Sequence, residues 1–269
     1  MKRLLPFLSL LLASCVPNPF VQYYQGTPNA RQWPAYVLTH GQPQIYTTND
    51  FRRDGRALLR RGYVPVGQAF FNAPTNSFKR SQVEDQARKI GAAIVLVSSR
   101  YTNTVTGAMP LQVPQTTTSY SNGTATAYGP GGTVNAFGSG MTTTYGTRTM
   151  MMPYAINRSD FRAVFYAKVQ THVGIWPQPV DAATRQRLQT DAGIKVLTVV
   201  DGSPAFRANI LPGDVVLTIA GEDVDSVRGY IHLLQKYVGQ SVVFRIDRGG
   251  KTIEKKILIQ PYKKLPTRK

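Results

Sequence analysis

The chain has 269 residues, one cysteine and a formal net charge of +18 at pH 7. This length is enough for two modest domains with separate cores. The single cysteine excludes an intramolecular disulfide and a cysteine-rich metal site, and the basic excess favours anionic partners such as lipid head groups or acidic glycans.

The chain begins with the pattern of a targeting signal. Lys2 and Arg3 precede an apolar run from Leu4 to Leu12. That run is too short to cross a bilayer, which needs about 20 apolar residues, so residues 1–14 are predicted to be a signal peptide. Its removal takes away two basic residues and lowers the formal charge from +18 to +16. Export in turn argues against a nucleic-acid partner.

Leu12, Ala13 and Ser14 lead directly to Cys15, and this order resembles a bacterial lipobox. The resemblance implies cleavage before Cys15, a diacylglyceryl group on its sulfur and an acyl group on the new amino terminus; no other cofactor is expected. More than one acyl chain gives a stable membrane anchor. The residue after the cysteine is Val16, not the aspartate that retains similar lipoproteins in the inner membrane, which favours the outer membrane facing the periplasm. The alternative is an ordinary secretory signal with an incidental cysteine.

Residues 15–43 are predicted to be a largely extended tether. They contain five prolines, scattered aromatic residues and few charges, a composition typical of stiff connecting segments. Parts of the segment, such as Tyr36–Leu38, can still pack onto the domain that follows.

Residues 44–169 are predicted to form a small α/β domain, because strand-like and helix-like patterns alternate. Asn49 or Asp50 can cap a first helix that runs to residue 61. Ser81 and Glu84 have the spacing of a capping box and predict a second helix that ends at Gly91. Strands are predicted over 44–48, 63–72, 93–105 and 160–169, and Pro65 suggests an edge position or a late start for the second of them.

The first helix of this domain carries a directional charge pattern. Arg52, Arg56 and Arg60 follow one another at intervals of four residues and share one helix face. One interpretation is a docking face for anionic lipid or glycan close to the tether. The other is an ordinary solvated surface of a basic protein.

A low-complexity insertion interrupts the α/β domain at about residues 101–152. No charged side chain occurs from Tyr101 to Thr147, and threonine, glycine, serine, tyrosine and alanine dominate. Period-two alternation, as in Thr124–Tyr128, favours strand over helix. The segment is predicted to be a long hairpin or a flexible loop, with a functional role or a tolerated low-complexity sequence as the two interpretations.

Residues 170–262 alternate apolar strand patterns with glycine and proline turns, and residues 263–269 form a basic tail. In order and spacing this region resembles the PDZ domains of bacterial trypsin-like envelope proteases. The resemblance implies a partly open β-barrel capped by helices, and so an α+β fold class for the whole chain. The matching stretches are Thr171–Ile175, Gly193–Leu197, Gly202–Ala205, Leu211–Val216, Ile219–Val224 and Arg248–Lys251.

The resemblance also implies a ligand site for protein C-termini or extended peptides. In such domains a peptide adds as a strand beside a helix, and loop N–H groups hold its terminal carboxylate. Carried over to this chain, the loop is Val173, Gly174 and Ile175, the pairing strand contains Ile175, Trp176 and Gln178, and the helix wall contains Val227, Tyr230, Ile231 and Leu234.

Two residues near this site leave alternatives open. Pro177 has no N–H at a position where a donor normally bonds the ligand main chain, so the groove either captures C-terminal peptides or is remodelled or purely structural. His172 beside the loop is either a ligand contact when protonated or an ordinary surface residue.

No catalytic or metal-binding constellation is present in the sequence. The three histidines, His40, His172 and His232, lie far apart, and no nucleophile motif, phosphate loop or zinc motif accompanies them. The leading hypothesis is therefore a non-enzymatic, lipid-anchored peptide-binding adaptor or regulator of the cell envelope. A structural envelope protein that binds anionic glycolipid or cell-wall polymer is the second hypothesis, and a hydrolase is the third.

Overall fold

The computed structural model describes residues 17–39 and 41–263. The predicted signal peptide, Cys15, His40 and the tail from residue 264 lie outside the described residues. The rest divides into two compact units, one formed by residues up to 100 together with those from 160 onward, and one formed by residues 101–159. Among the described helices, none combines the length and the apolar character needed to cross a membrane.

The first unit contains two sheets. The elements of the first are α1 (Pro19–Gln22), β1 (Tyr24–Gly26), β2 (Gln44–Thr47), α2 (Phe51–Arg60), β3 (Tyr63–Pro74), α3 (Arg80–Ile90), β4 (Ile94–Gly129) and β5 (Gly132–Lys168). Its five strands lie in the order β1-β3-β5-β4-β2. Helices pack on both of its faces because successive side chains of a strand point to opposite sides. Ile94 and Leu96 of β4 meet Leu58 of α2, whereas Val95 and Val97 belong to the core that includes the buried residues of α3.

The two predicted helices of this sheet domain are present, with one difference at a helix start. Asp50 caps α2 by accepting hydrogen bonds from the N–H groups of Arg52 and Arg53. The second helix, α3, begins at Arg80 without a side-chain cap, so the predicted capping box is wrong. Glu84 instead pairs with Arg80 at 2.9 Å, because the two side chains are neighbours one helical turn apart. Gly91, at φ +80°, ends α3 as predicted.

The prediction of an extended tether is wrong for residues 17–43, as far as they are described. Phe20 of α1 is only 1% exposed, and its ring meets Phe71 edge-on at 5.0 Å. Ala30 and Tyr36 are buried in the same core, and β1 pairs with β3. Prolines restrict this backbone, but its aromatic side chains find apolar partners and the hydrophobic effect holds the segment on the sheet.

The elements of the second sheet are β6 (Ile175–Pro179), α4 (Ala182–Leu188), β7 (Ile194–Val199), α5 (Pro204–Arg207), β8 (Val215–Ile219), β9 (Glu222–Asp223), α6 (Val227–Lys236), β10 (Ser241–Arg248) and β11 (Lys251–Leu258). The strands lie in the order β11-β10-β8-β7-β6, with β9 paired to β8. Ser226 caps α6. The sheet does not close on itself, and the mixed α+β fold class is confirmed.

The second unit, residues 101–159, is a two-stranded ribbon made of the outer parts of β4 and β5. Thr126 bonds Asn135 at 2.8 Å, and Thr104 bonds Asn157 at 2.7 Å. Residue numbers fall on one strand as they rise on the other, so the strands run antiparallel. Of the two forms predicted for the insertion, the structure has the long hairpin.

Candidate functional site

The candidate site is a groove between the end strand β6 and helix α6. A cavity of about 350 Å³ lies there. Ile175 and Pro177 of β6 line one side, and Ile231 and Leu234 of α6 line the other. The apolar walls and the position beside an end strand are suited to an extended chain with apolar side chains.

The loop before β6 contains two backbone donors without a partner. Gly174 has φ +88°, and a Cβ atom there would lie 2.1 Å from the Ser203 side chain. The loop carbonyls are used internally, since Val173 accepts from Ala205 N–H at 2.9 Å and Gly174 accepts from Val200 N–H at 2.8 Å. Across the described residues, the N–H groups of Val173 and Gly174 donate to no partner.

The position of these two donors relates them to the cavity. Val173 and Gly174 are buried and do not line the cavity themselves, whereas His172 and Ile175 on either side of them do. Backbone donors in such a loop are of the kind that can bind a carboxylate.

Pro177 changes the strand that would pair with a ligand. The register of β6 against β7 shifts between Trp176 and Pro177, as in a β-bulge, which is a common place for a proline in a sheet. Gln178, a predicted pairing residue, lies beyond this shift opposite Lys195 and is not among the cavity-lining residues. Regular pairing is thus available only to the first two residues of β6.

Trp176 is held by the neighbouring α/β domain. Its indole Nε1–H donates to the backbone carbonyl of Leu59 at 2.9 Å. Leu59 lies in the last turn of α2, and its carbonyl also accepts from the N–H of Gly62 at 2.9 Å. The bond from Trp176 fixes one side of the groove to the α/β domain.

Helix α6 divides its apolar side chains between the core and the cavity. Tyr230, Leu233 and Leu234 are buried in the core, whereas Ile231 is 47% exposed and lines the cavity. Val227 is partly buried against the core. The predicted helix wall is therefore formed by Tyr230, Ile231 and Leu234.

The Tyr230 hydroxyl is an unusual group in this wall. It is buried and has no hydrogen-bond partner among the described residues. Burial raises the pKa of this phenol far above its ordinary value, because water no longer stabilises the phenolate. The hydroxyl therefore stays neutral as a hydrogen-bond donor.

Further cavity walls come from outside the predicted site. Trp33, Val64 and Pro65 of the α/β domain contribute on one side and Tyr262 on another. His172 stacks on Tyr262 with ring centroids 4.0 Å apart, and its Nδ1 lies 2.8 Å from the Gln260 carbonyl oxygen. His172 thus attaches the C-terminal segment to the groove entrance, and no sequence motif indicated these long-range contacts.

The predicted anionic-docking face is only partly present. Arg60 directs its guanidinium to Asp201, with Nη2 and Oδ1 3.1 Å apart, and its carbonyl accepts from Asp201 N–H. Arg60 thus has an acidic partner within the chain, and its part in an anionic-docking face stays a prediction. Arg52 and Arg56 are exposed and form no ion pair with the described residues. Within residues 17–39 and 41–263, no group of three or more His, Cys, Asp or Glu residues is placed to hold a metal ion.

Comparison with known proteins identifies the groove-bearing region. Residues 173–259 match the PDZ domain family model. A probable periplasmic serine endoprotease, DegP-like, from Chlamydia trachomatis is 39% identical over 87 residues, which cover 30% of this chain and 17% of the relative. Its Chlamydia pneumoniae counterpart is 34% identical over a segment of the same length and coverage.

Two solved structures are also similar. The HtrA3 PDZ domain bound to a phage-derived ligand is 18% identical, covering 33% of this chain and 84% of that one, at a TM-score of 0.29. The HtrA-type protease AlgW with decapeptide is 20% identical, covering 36% of each chain, at a TM-score of 0.30. The sequence matches make residues 173–259 a PDZ domain similar to those of DegP-like proteases, and they do not extend to a protease domain.

Proposed function

We propose that this chain is a membrane-tethered envelope lipoprotein whose PDZ groove binds C-terminal or extended peptides, as an adaptor or regulator. The observation that carries the proposal is the pair of unpartnered N–H groups at Val173 and Gly174, which lie in the chain between the cavity-lining residues His172 and Ile175. Loops of this kind hold a terminal carboxylate, while the adjacent strand and helix hold the side chains.

The shape of the groove limits the ligand that it can hold. Only Ile175 and Trp176 precede the register shift in β6, and Pro177 has no N–H to bond a ligand carbonyl. A lost main-chain hydrogen bond costs about 1 kcal/mol. The proposed ligand is therefore engaged through its last few residues, with an apolar side chain between Ile175, Ile231 and Leu234.

The chain is proposed to bind without cleaving. The curated relatives are named as periplasmic serine endoproteases, and the chain covers 17% of their length, within the PDZ region alone. The proposal places this binding domain in the periplasm, as in the relatives' names. Labelling of the purified protein with active-site probes for serine hydrolases would expose any catalytic activity, and no labelling is expected.

The membrane tether in this proposal rests on Cys15 in its lipobox-like context. Cleavage before Cys15 and acylation of its thiol and amino group would attach the protein to the envelope, with Val16 favouring the outer membrane. Intact-mass measurement of protein purified from membranes tests this directly. An unmodified Cys15 thiol or an uncleaved leader would contradict it.

Peptide binding is tested by fluorescence polarisation with a library of free C-terminal peptides. Selected peptides are expected to bind with micromolar affinity. Ile231→Ser removes an exposed apolar side chain from the groove, and the matched control Val243→Ser removes one of similar exposure, 42%, from β10 outside it. Weaker binding only in Ile231→Ser supports the proposal; an absence of binders in both C-terminal and internal-peptide libraries contradicts it.

A second candidate function is binding of anionic glycolipid or cell-wall polymer. Its specific support is the pair Arg52 and Arg56, which are exposed and have no ion-pair partner within the described segments. Such binding weakens steeply with salt, because exposed charges are screened. Co-sedimentation with anionic vesicles is expected to fall in an Arg52→Ala/Arg56→Ala variant but not in Lys255→Ala/Lys256→Ala, and salt-insensitive binding would count against this function.

A further inference from the structure

The ribbon of residues 101–159 has one fixed register, which determines its two faces. Ser121 donates to the carbonyl of Gly140, and Thr126 bonds Asn135. Nearer the sheet, Thr104 bonds Asn157. These pairs keep one constant register along the ribbon. Since side chains alternate between faces, Ser121 and Gly140 belong to one face and Thr126 and Asn135 to the other.

The outer half of the ribbon has one aromatic face and one face of small residues. The face that contains Thr126 and Asn135 carries every large hydrophobic side chain of the strand residues 115–129 and 132–147 except Val134. Their exposed fractions are 77% for Tyr120, 83% for Tyr128, 82% for Phe137, 66% for Met141 and 82% for Tyr145. The opposite face consists mainly of Thr, Ser, Gly and Ala.

A ribbon of this kind is unstable in isolation. Two strands alone are at best marginally stable in water, because they lack a third strand or an apolar surface to cover one face. This ribbon has no third strand in its unit, and its 29 residues from Tyr101 to Gly129 extend over roughly 90 Å at about 3.3 Å per residue. A partner surface is needed to cover the aromatic face.

The charge distribution favours a second copy of this chain as that partner. Two copies of a protein with net charge +18 repel each other over most of their surfaces. The ribbon is different, because residues 101–147 contain no charged side chain. Its outer half also has no proline within the strands from 115 to 129 and from 132 to 147. It therefore lacks both the charges and the prolines that normally hinder a strand from associating with another chain.

The buried area would suffice for a stable dimer. Each copy contributes four aromatic rings. If each ring buries about 150 Å², the two copies together remove on the order of 1,200 Å² from water. This reaches the lower end of specific interfaces. Identical faces packed about a two-fold axis are also self-complementary, as a closed dimer requires.

We propose that the ribbon is a self-association module, in which the aromatic faces of two copies, formed by Tyr120, Tyr128, Phe137, Met141 and Tyr145, pack against each other. The module is independent of the PDZ groove. Two copies would present two grooves on one assembly.

Sedimentation equilibrium of the purified full-length chain tests this proposal. The wild type is expected to sediment at twice the mass of a single chain. Replacing Tyr120, Tyr128, Phe137 and Tyr145 by Thr should weaken association at least about 100-fold, since central aromatic residues dominate interface energies. Ala127→Thr/Val134→Thr, on the small-residue face, is the matched control and should remain dimeric.

A second measurement uses the unaltered protein, so its result does not depend on whether the quadruple variant folds. In a single chain Tyr120, Tyr128 and Tyr145 are more exposed than Tyr46, which is 47% exposed. In the associated protein the ribbon tyrosines should be less accessible than Tyr46, so that tetranitromethane nitrates Tyr46 faster than these three. Dilution should dissociate the copies and make the ribbon tyrosines react faster than Tyr46 again. A monomeric wild type, a quadruple variant that associates as wild type, or nitration that follows single-chain exposure at all concentrations would overturn the proposal. So would a monomer whose ribbon tyrosines bind phosphatidylglycerol vesicles, since lipid would then be the occupant.

Discussion

The indole N–H of Trp176 donates to the carbonyl of Leu59 across a distance of 2.9 Å. This single bond joins the end strand of the PDZ sheet to the last turn of α2 in the α/β domain. It places Trp33, Val64 and Pro65 beside the groove. The groove is therefore built by both domains, although residues 173–259 alone match the PDZ model.

Trp176→Phe should lower the free energy of unfolding by about 1 kcal/mol, because it keeps an aromatic ring but removes the donor to Leu59. Urea denaturation measures the change. Trp33→Phe is the matched control, since the Trp33 indole is also half-buried at the groove and has no hydrogen-bond partner among the described residues. Equal stability losses in the two variants would contradict a role for the bond.

Gly174→Ala should destabilise the protein more than Gly202→Ala. Both glycines have positive φ, so both variants carry a similar backbone strain of about 1 kcal/mol. Only the Cβ at position 174 would clash, 2.1 Å from Ser203, whereas position 202 faces open space. Overpacking adds about 1–3 kcal/mol, and thermal unfolding should show this difference; equal melting temperatures would argue against the close approach of Ser203.

Stability should fall as the pH rises from about 10 to about 12, in part because of Tyr24. Burial raises the pKa of the Tyr24 phenol from 10.0 to about 12, and its hydroxyl donates to the carbonyls of Thr27 and Val66. Because the folded-state pKa is the higher one, this contribution is complete below the unfolded-state pKa and is lost as pH passes through the folded-state value. Urea midpoints at several pH values should decline less steeply in this window for Tyr24→Phe than for wild type. The exposed neighbour variant Tyr23→Phe should keep the wild-type slope, and an unchanged slope in Tyr24→Phe would refute the assignment.

Arg248→Ala should cost about 3 kcal/mol or more of unfolding free energy. Arg248 contacts both carboxylate oxygens of Asp214 at 2.7 Å, and the Asp214 side chain is only 2% exposed. The variant therefore leaves a buried charge without its partner. Arg60→Ala breaks the exposed pair with Asp201 and should cost less than about 1 kcal/mol. Chemical denaturation of both variants checks the contrast, and similar costs would contradict it.

Local signals in the sequence predicted most of the elements. Asp50 as a helix cap and Gly91 as a helix end were both confirmed, because such signals depend on a few neighbouring residues. The capping box at Ser81 and Glu84 failed, since Glu84 found Arg80 as a competing partner. The resemblance to PDZ domains correctly indicated the loop before β6 and the helix beside it.

Local sequence patterns could not predict contacts between residues that are far apart in the sequence. The prolines of residues 15–43 indicated an extended tether. Phe20 is nevertheless buried, because it packs against Phe71, which is far along the chain. The pairing of Arg60 with Asp201 likewise arises only when the α/β and PDZ domains meet.

The proposed peptide binding depends on a ligand carboxylate bound by the backbone N–H groups of Val173 and Gly174. The most direct test follows these two amide signals by heteronuclear NMR during titration with one peptide, first with a free C-terminal carboxylate and then with an amidated terminus. We expect both signals to shift downfield with the free acid, and binding to weaken by at least about tenfold on amidation, since charge-assisted hydrogen bonds are worth about 1.5–3 kcal/mol. Equal affinity for the two peptides, or unmoved Val173 and Gly174 signals at saturation, would contradict the proposed site.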